Sequence, residues 1–305
     1  MARPELAELM ADSERYVGTR GGGMDQAVCL LAEEGSALLI RFFPLRTEPV
    51  NVPRDAAFVV CHSMVSAPKS REIRAAYNLR ALESRLAAEI LARRLGAVSE
   101  QGDVPLRLGD LISSEPDESP SDLLDKLEKI SHGTPWNPEA VARTLGLSLD
   151  CLSDTWFKPF NTELDPDRPL KILERARHVL TEGERVHRAS DALRRGDLEA
   201  LGALMNASHE SCARDYEISV PELDRLVEVA RRNGAIGSRL TGAGFGGCTV
   251  SLVLKGQVEV FCRKVAEDFY GTSWVSQFHG FPDRQQEKAP PIYPCRPVPG
   301  ASKIL

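Results

Sequence analysis

Gly18-Thr19-Arg20-Gly21-Gly22-Gly23-Met24-Asp25-Gln26 is the stretch around which the chain is organised. Four of the nine residues are glycine, so the main chain can take positive φ and approach another backbone or a ligand closely. Within the stretch Arg20 is the only charge ahead of Asp25. Asp25 sits at the position of a helix N-cap, followed by Gln26-Ala27-Val28-Cys29-Leu30-Leu31-Ala32. Two readings are compatible with this stretch: a surface turn with a capping aspartate, and a glycine-walled site presenting one carboxylate.

A second glycine cluster far down the chain favours the site. Leu240-Thr241-Gly242-Ala243-Gly244-Phe245-Gly246-Gly247-Cys248-Thr249 leads into Val250-Ser251-Leu252-Val253-Leu254, which alternates as a half-buried strand does. Residues 242–247 match G-x-G-x-x-G, but a dinucleotide fingerprint opens a helix whose amino end receives the pyrophosphate, and here a strand follows. A protein-kinase glycine loop does lie between strands, yet no V-A-I-K, H-R-D or D-F-G is present. What remains is a turn that either only lets two elements pack or lays its backbone against a phosphate.

Composition narrows the function classes. A chain of 305 residues is long enough for about two domains. Its 42% hydrophobic and 6% aromatic residues describe a globular protein, and a net charge of -6 leaves no basic footprint for nucleic acid. Seven cysteines, odd in number and without a C-x-x-C pair, argue for reduced thiols in the cytoplasm rather than a disulfide framework or a zinc site. The first ten residues lack the apolar segment of a secretory signal and read as a helix with Pro4 in its first turn. No stretch is apolar enough to span a membrane. The histidines have no metal-ligand spacing, and His209 reads as a packed or capping side chain.

Along the chain, Ala37–Phe43 reads as a buried strand stopped by Pro44, and Ala57–His62 as another. Leu79, Leu82, Leu86 and Ile90 mark an amphipathic helix over 71–95 ended by Gly96, with Arg80, Glu83, Arg93 and Arg94 on a solvated face. Residues 97–168 read as a helical insert of loops and short helices, one starting at Asn137-Pro138. Helices follow over 170–195 and 197–212, and a third opens on the capping box Ser219-Val220-Pro221-Glu222. A helix over 257–270 and a strand near Ser273–Phe278 precede a proline-rich tail.

Taken together, Gly21-Gly22-Gly23-Met24-Asp25-Gln26 and Thr241–Gly247 resemble two signature regions of the galactokinases, members of the GHMP small-molecule kinases. Met205–Ser211, Asp215-Tyr216-Glu217 and Pro221-Glu222-Leu223-Asp224 are similar to the family's lead into its last glycine-rich region, and Tyr77-Asn78-Leu79-Arg80 to a segment near the sugar. The detail looks closest to the branch that holds N-acetylgalactosamine kinase and the plant galactokinases. The resemblance implies an α+β fold of the GHMP kinase type. Its first domain, truncated and like ribosomal S5 domain 2, would be residues 1–54; a ferredoxin-like carboxy-terminal domain would be 55–305, with the insert at about 97–168.

The implied reaction moves the γ-phosphoryl group of ATP, with Mg2+, to the anomeric hydroxyl of galactose or N-acetylgalactosamine. By resemblance, Asp25 is the catalytic carboxylate and Gly22, Asp25 and Tyr77 hold the sugar. Gly242, Gly244, Gly246 and Gly247 brace the nucleotide, and Lys69 is a candidate cation near the transferring group, a surface lysine being its other reading. Metal arrives with ATP and is not held by protein ligands. Sugar and ATP are the expected partners, with no nucleic acid and no membrane, in the cytoplasm. Two family signatures are absent: the arginine segment with Gly-Glu-His, and the Gly-Leu-Ser-Ser-Ser-Ala loop that cradles phosphates. Impaired activity and unpaired strand edges with exposed apolar surface over residues 30–45 are therefore expected; the alternative is a non-catalytic sugar or nucleotide sensor, or an inactive fragment.

Overall fold

Pro4 lies in the first turn of a helix, α1 (Arg3–Arg15), in a computed structural model that describes residues 1–15, 22–42, 44–66, 71–97, 107–114, 119–131, 133–271 and 290–302. A second helix, α2 (Met24–Leu31), packs on α1 and leads into an antiparallel pair, β1 (Ser36–Arg41) and β2 (Arg46–Asn51). The first strand ends at Arg41, short of the expected Phe43, and its partner β2 goes unread in the sequence because Pro49 interrupts it. Proline is tolerated where a strand has a free side, and among the described residues this sheet has only its two strands.

After β3 (Ala56–His62) comes α3 (Arg71–Leu95), as the leucine spacing predicts, closed by Gly96 at φ 69°. Short helices α4 (Leu108–Ser114), α5 (Pro120–Ser131), α6 (Pro138–Thr144) and α7 (Leu149–Leu152) make up the insert. Asn137 caps α6 as expected, its Oδ1 accepting from the Ala140 amide at 2.7 Å. Leu82, Leu86, Leu111, Leu123 and Phe157 form the heart of the core here.

The solvated face expected on α3 holds at Arg93 and Arg94, which are exposed, and is corrected at Glu83 and Arg80. Glu83 is 2% exposed and Arg80 is also buried. Glu83 Oε2 accepts from Arg175 Nε at 2.8 Å and its Oε1 accepts from the Lys171 amide at 2.9 Å. A helix packed on more than one side hides a charge pair within what looks like a polar stripe, provided the pair satisfies itself.

Helices α8 (Ile172–Arg195), α9 (Leu198–Arg214) and α10 (Pro221–Arg232) follow, then β4 (Gly237–Thr241), β5 (Cys248–Leu254), α11 (Val258–Val265) and β6 (Ile292–Cys295). The capping box does not form: Val220 is the N-cap of α10 without a side-chain bond, and the Ser219 hydroxyl donates to Asp224 instead. The strand expected at 273–278 lies outside the described residues. Strand β6, from the proline-rich tail, pairs with β3.

Strands β4-β5-β3-β6 lie in that order and all neighbours run antiparallel. Helices connect β3 to β4 and α11 connects β5 toward β6, which is the split arrangement of a ferredoxin-like sheet. Successive residues of β5 serve opposite faces: Val253 packs with Val59, Leu226, Phe261 and Val265, and Leu252 with Ala192, Leu198 and Leu201. The backbones of α9 and β4 come together where Gly202 meets Gly237, since a Cβ on either would run into the other strand or helix.

The chain divides into two compact units: Met1–Val17 with Gly21–Pro68 and Arg185–Leu305, and Gly18–Arg20 with Lys69–Glu184. This cut differs from a division at residues 54 and 55, because β1 and β2 share a unit with the four-stranded sheet. The insert region belongs to the other unit.

Candidate functional site

Gly22 and Asp25 stand together at the start of α2, and both are exposed. The N-cap is not Asp25, as the sequence suggests, but Gly23, at φ 84° and ψ 15°. A left-handed cap ahead of Met24 moves Asp25 into the first helical turn, where its carboxylate is left free of capping. Gly23 has a second reason to lack a side chain, since a Cβ there would lie 2.7 Å from Ala11 Cβ on α1. The acid's helix is thus seated on α1 through a glycine, with Ala7 and Ala27 buried beneath it.

The far end of α2 is fastened by the tail. The Gly300 amide donates to the Ala32 carbonyl at 2.8 Å and the Ala301 amide to Cys29 O at 2.7 Å, so carbonyls at a helix end that would otherwise be orphaned gain partners. Nothing in a proline-rich tail signals this role in sequence.

The four late glycines share the turn between β4 and β5. Gly242, Gly244, Gly246 and Gly247 all have positive φ, as does Phe245. Two anchors set the turn: the Phe245 amide donates to Ile218 O at 2.7 Å, and Gly247 exchanges bonds with the segment after β3, donating to Val65 O at 2.8 Å and accepting from the Ser63 amide at 2.7 Å. Gly244 lies so close to the Ile218 carbonyl that a Cβ would collide with it. By contrast the amides of Gly242 and Gly246 donate to no group among the described residues. Packing therefore explains part of the glycine cluster and leaves other amides available to an anion.

His209 supports this turn from below. Its Nδ1 accepts from the Leu240 amide at 3.3 Å, which puts the ring proton on Nε2, 3.3 Å from Asp224 Oδ1. That hydrogen bond, with a further one from Ser219, holds the Asp224 carboxyl below the usual carboxylate range against the opposing effect of partial burial. His209 is a packed side chain, joining α9, α10 and the end of β4.

Tyr77 is half-buried on α3 and belongs to the second unit. Its neighbours Arg74 and Asn78 line a cavity of about 440 Å³ with Lys158, Asn161, Thr162 and Glu163. Asn78 is buried there, and its Oδ1 meets no donor among the described residues. Lys69 lies outside the described residues, as does Gly21. The structure thus gathers Gly22 with Asp25, and the four late glycines with one another, within one unit; Tyr77 is described in the other.

Comparison with known proteins agrees with this architecture. Residues 189–271 match the family described as GHMP kinases C terminal. The chain is 37% identical over 288 residues to the galactokinase of Dictyostelium discoideum, a match covering 88% of this chain and 56% of that one. It is 33% identical over 314 residues to the galactokinase of Saccharomyces cerevisiae, covering 88% and 58%. Among solved structures, Lactococcus lactis galactokinase complexed with galactose aligns over the whole of this chain and 62% of its own, with a TM-score of 0.68 and 26% identity. The chain spans somewhat more than half the length of these relatives. On the glycine turn, the ferredoxin-like sheet and these matches together, residues 189–271 form a carboxy-terminal region of the GHMP kinase type, and the chain as a whole is similar to galactokinases over somewhat more than half of their length.

Proposed function

We propose that this chain carries the carboxylate and the carboxy-terminal machinery of a cytoplasmic sugar 1-kinase. The reaction is transfer of the γ-phosphoryl group of ATP to the anomeric hydroxyl of galactose or N-acetylgalactosamine. The observation that carries the reading is Asp25, exposed at the start of α2 beside Gly22 and in the same unit as a glycine turn with unused amides. In phosphoryl transfer the protein mainly positions the groups and neutralises charge, and a single carboxylate orients the attacking hydroxyl and accepts its proton. Asp25 takes that role, with Gly22 allowing the sugar to approach the backbone and Tyr77 holding it. Gly242 and Gly246 offer amides to phosphate oxygens, Gly244 and Gly247 fix the turn, and Lys69 supplies a cation. Magnesium, arriving with ATP, neutralises phosphate charge.

The relatives are longer than this chain and Asp25 is exposed, so slow turnover by the chain alone is expected. The test measures ADP release with galactose and with N-acetylgalactosamine. It compares this chain with a fusion to the segment of the Dictyostelium discoideum relative that it does not span. Sugar-dependent release by the fusion, greatly above that of the chain alone, is expected. Ligand binding without any release by the fusion would instead indicate a sensor.

A further inference from the structure

A cavity of about 490 Å³ lies at the far end of the four-stranded sheet from the glycine turn. Strand β5 runs from Cys248 beside the turn to Leu254 beside the cavity, about 20 Å at ~3.3 Å per residue, so the two are separate places. Ala56, Ala57 and Phe58 at the start of β3 line it. Val52, Pro53 and Arg54 ahead of β3, Lys255 and Glu259 beyond β5, Pro294–Pro297 at the end of β6, and Glu34 complete the lining. Main-chain bonds hold these walls: Val52 to Gly35 O at 2.9 Å, Lys255 to Asp55 O at 2.7 Å, and Gly35 to Pro297 O at 3.3 Å. The shape is built before any ligand arrives, which lowers the cost of binding.

Its charge is what calls for a ligand. Arg54, Lys255 and Arg296 all line the cavity, and none of their side chains has an ion pair or hydrogen bond among the described residues. Glu34 and Glu259 line it too, yet reach none of the three. Three cations against two carboxylates leave the lining net positive, which favours an anion with an apolar body. We propose that this cavity binds a nucleoside monophosphate. The phosphate lies among Arg54, Lys255 and Arg296, the planar base rests on Phe58 and the prolines, and a ribose hydroxyl or base amine donates to Glu34 or Glu259. The volume falls within the range of ~300–1,000 Å³ usual for small-molecule sites. The site does not depend on the sugar-kinase reading.

Cys295 reports on occupancy, because this exposed residue lines the same cavity, whereas Cys151, also exposed, lies in the other unit and serves as an internal reference. The experiment times iodoacetamide alkylation of both thiols in the full chain by mass spectrometry, with AMP or with inorganic phosphate. Near saturation AMP slows Cys295 about tenfold, phosphate slows it far less, and Cys151 is unaffected. Arg54→Glu with Arg296→Glu abolishes the protection; should that pair fail to fold, Lys255→Gln weakens it. The proposal is overturned if AMP leaves the Cys295 rate unchanged, if phosphate protects as well as AMP, or if protection survives the charge changes in a folded variant.

Discussion

Glu83 and Asp224 are carboxylates with opposite surroundings, and the difference decides what each does for the fold. With both side chains of the Glu83–Arg175 pair 3% exposed, removing one partner strands a buried charge. Glu83→Ala is expected to cost about 3–5 kcal/mol, while Glu83→Leu with Arg175→Met costs much less. Urea unfolding of the full chain distinguishes these outcomes. Asp224 is half exposed, and His209 holds its carboxyl below the ordinary value of 3.8. The unfolded chain therefore binds this proton more readily, so the stabilisation is complete above the ordinary value and is lost as pH falls through the lower folded one. Asp224→Asn should lower the urea midpoint near neutral pH and flatten its acid decline; an unchanged decline would show that other groups govern it. Glu83's burial was not legible in the sequence, because helical spacing shows a polar stripe but not a second packing surface. That Asp25 stands at the start of a helix was legible, and its local role was not: only the left-handed φ of Gly23 reveals which residue caps α2.

At the scale of elements, the turn between β4 and β5 makes a graded prediction. Gly242 and Gly244 both have φ near 80°, but a Cβ at Gly242 meets open space while one at Gly244 meets the Ile218 carbonyl. Gly242→Ala should cost the left-handed penalty of about 1–2 kcal/mol. Gly244→Ala should cost clearly more, and equal losses in the two melts would mean that Ile218 does not anchor the turn. Strong periodicity made α3, α8, α9 and β5 readable. Strands β2, β4 and β6 were not, because Pro49, the single strongly apolar Leu240 and Pro294 dilute their patterns; pairing with the adjacent strand for β2 and β4, and with distant β3 for β6, overrides weak local preference.

At the scale of the whole molecule, α1 and α2 present Leu9, Met10, Met24 and Val28 to solvent, at 53%, 43%, 49% and 41% exposure. The β1–β2 sheet has unpaired sides among the described residues. Apolar surface and open strand edges favour association. Sedimentation velocity should show concentration-dependent association, reduced by Met24→Glu with Val28→Lys; a monodisperse wild-type monomer would contradict this.

Both the fold and the proposed chemistry meet at Asp25. The most direct measurement is galactose-dependent ADP release by the fusion to the segment of the Dictyostelium discoideum relative that this chain does not span, with Asp25 intact and as Asp25→Asn. The account predicts a drop of about a hundredfold or more. Equal rates from the two forms, or no galactose-dependent release from either, would contradict it.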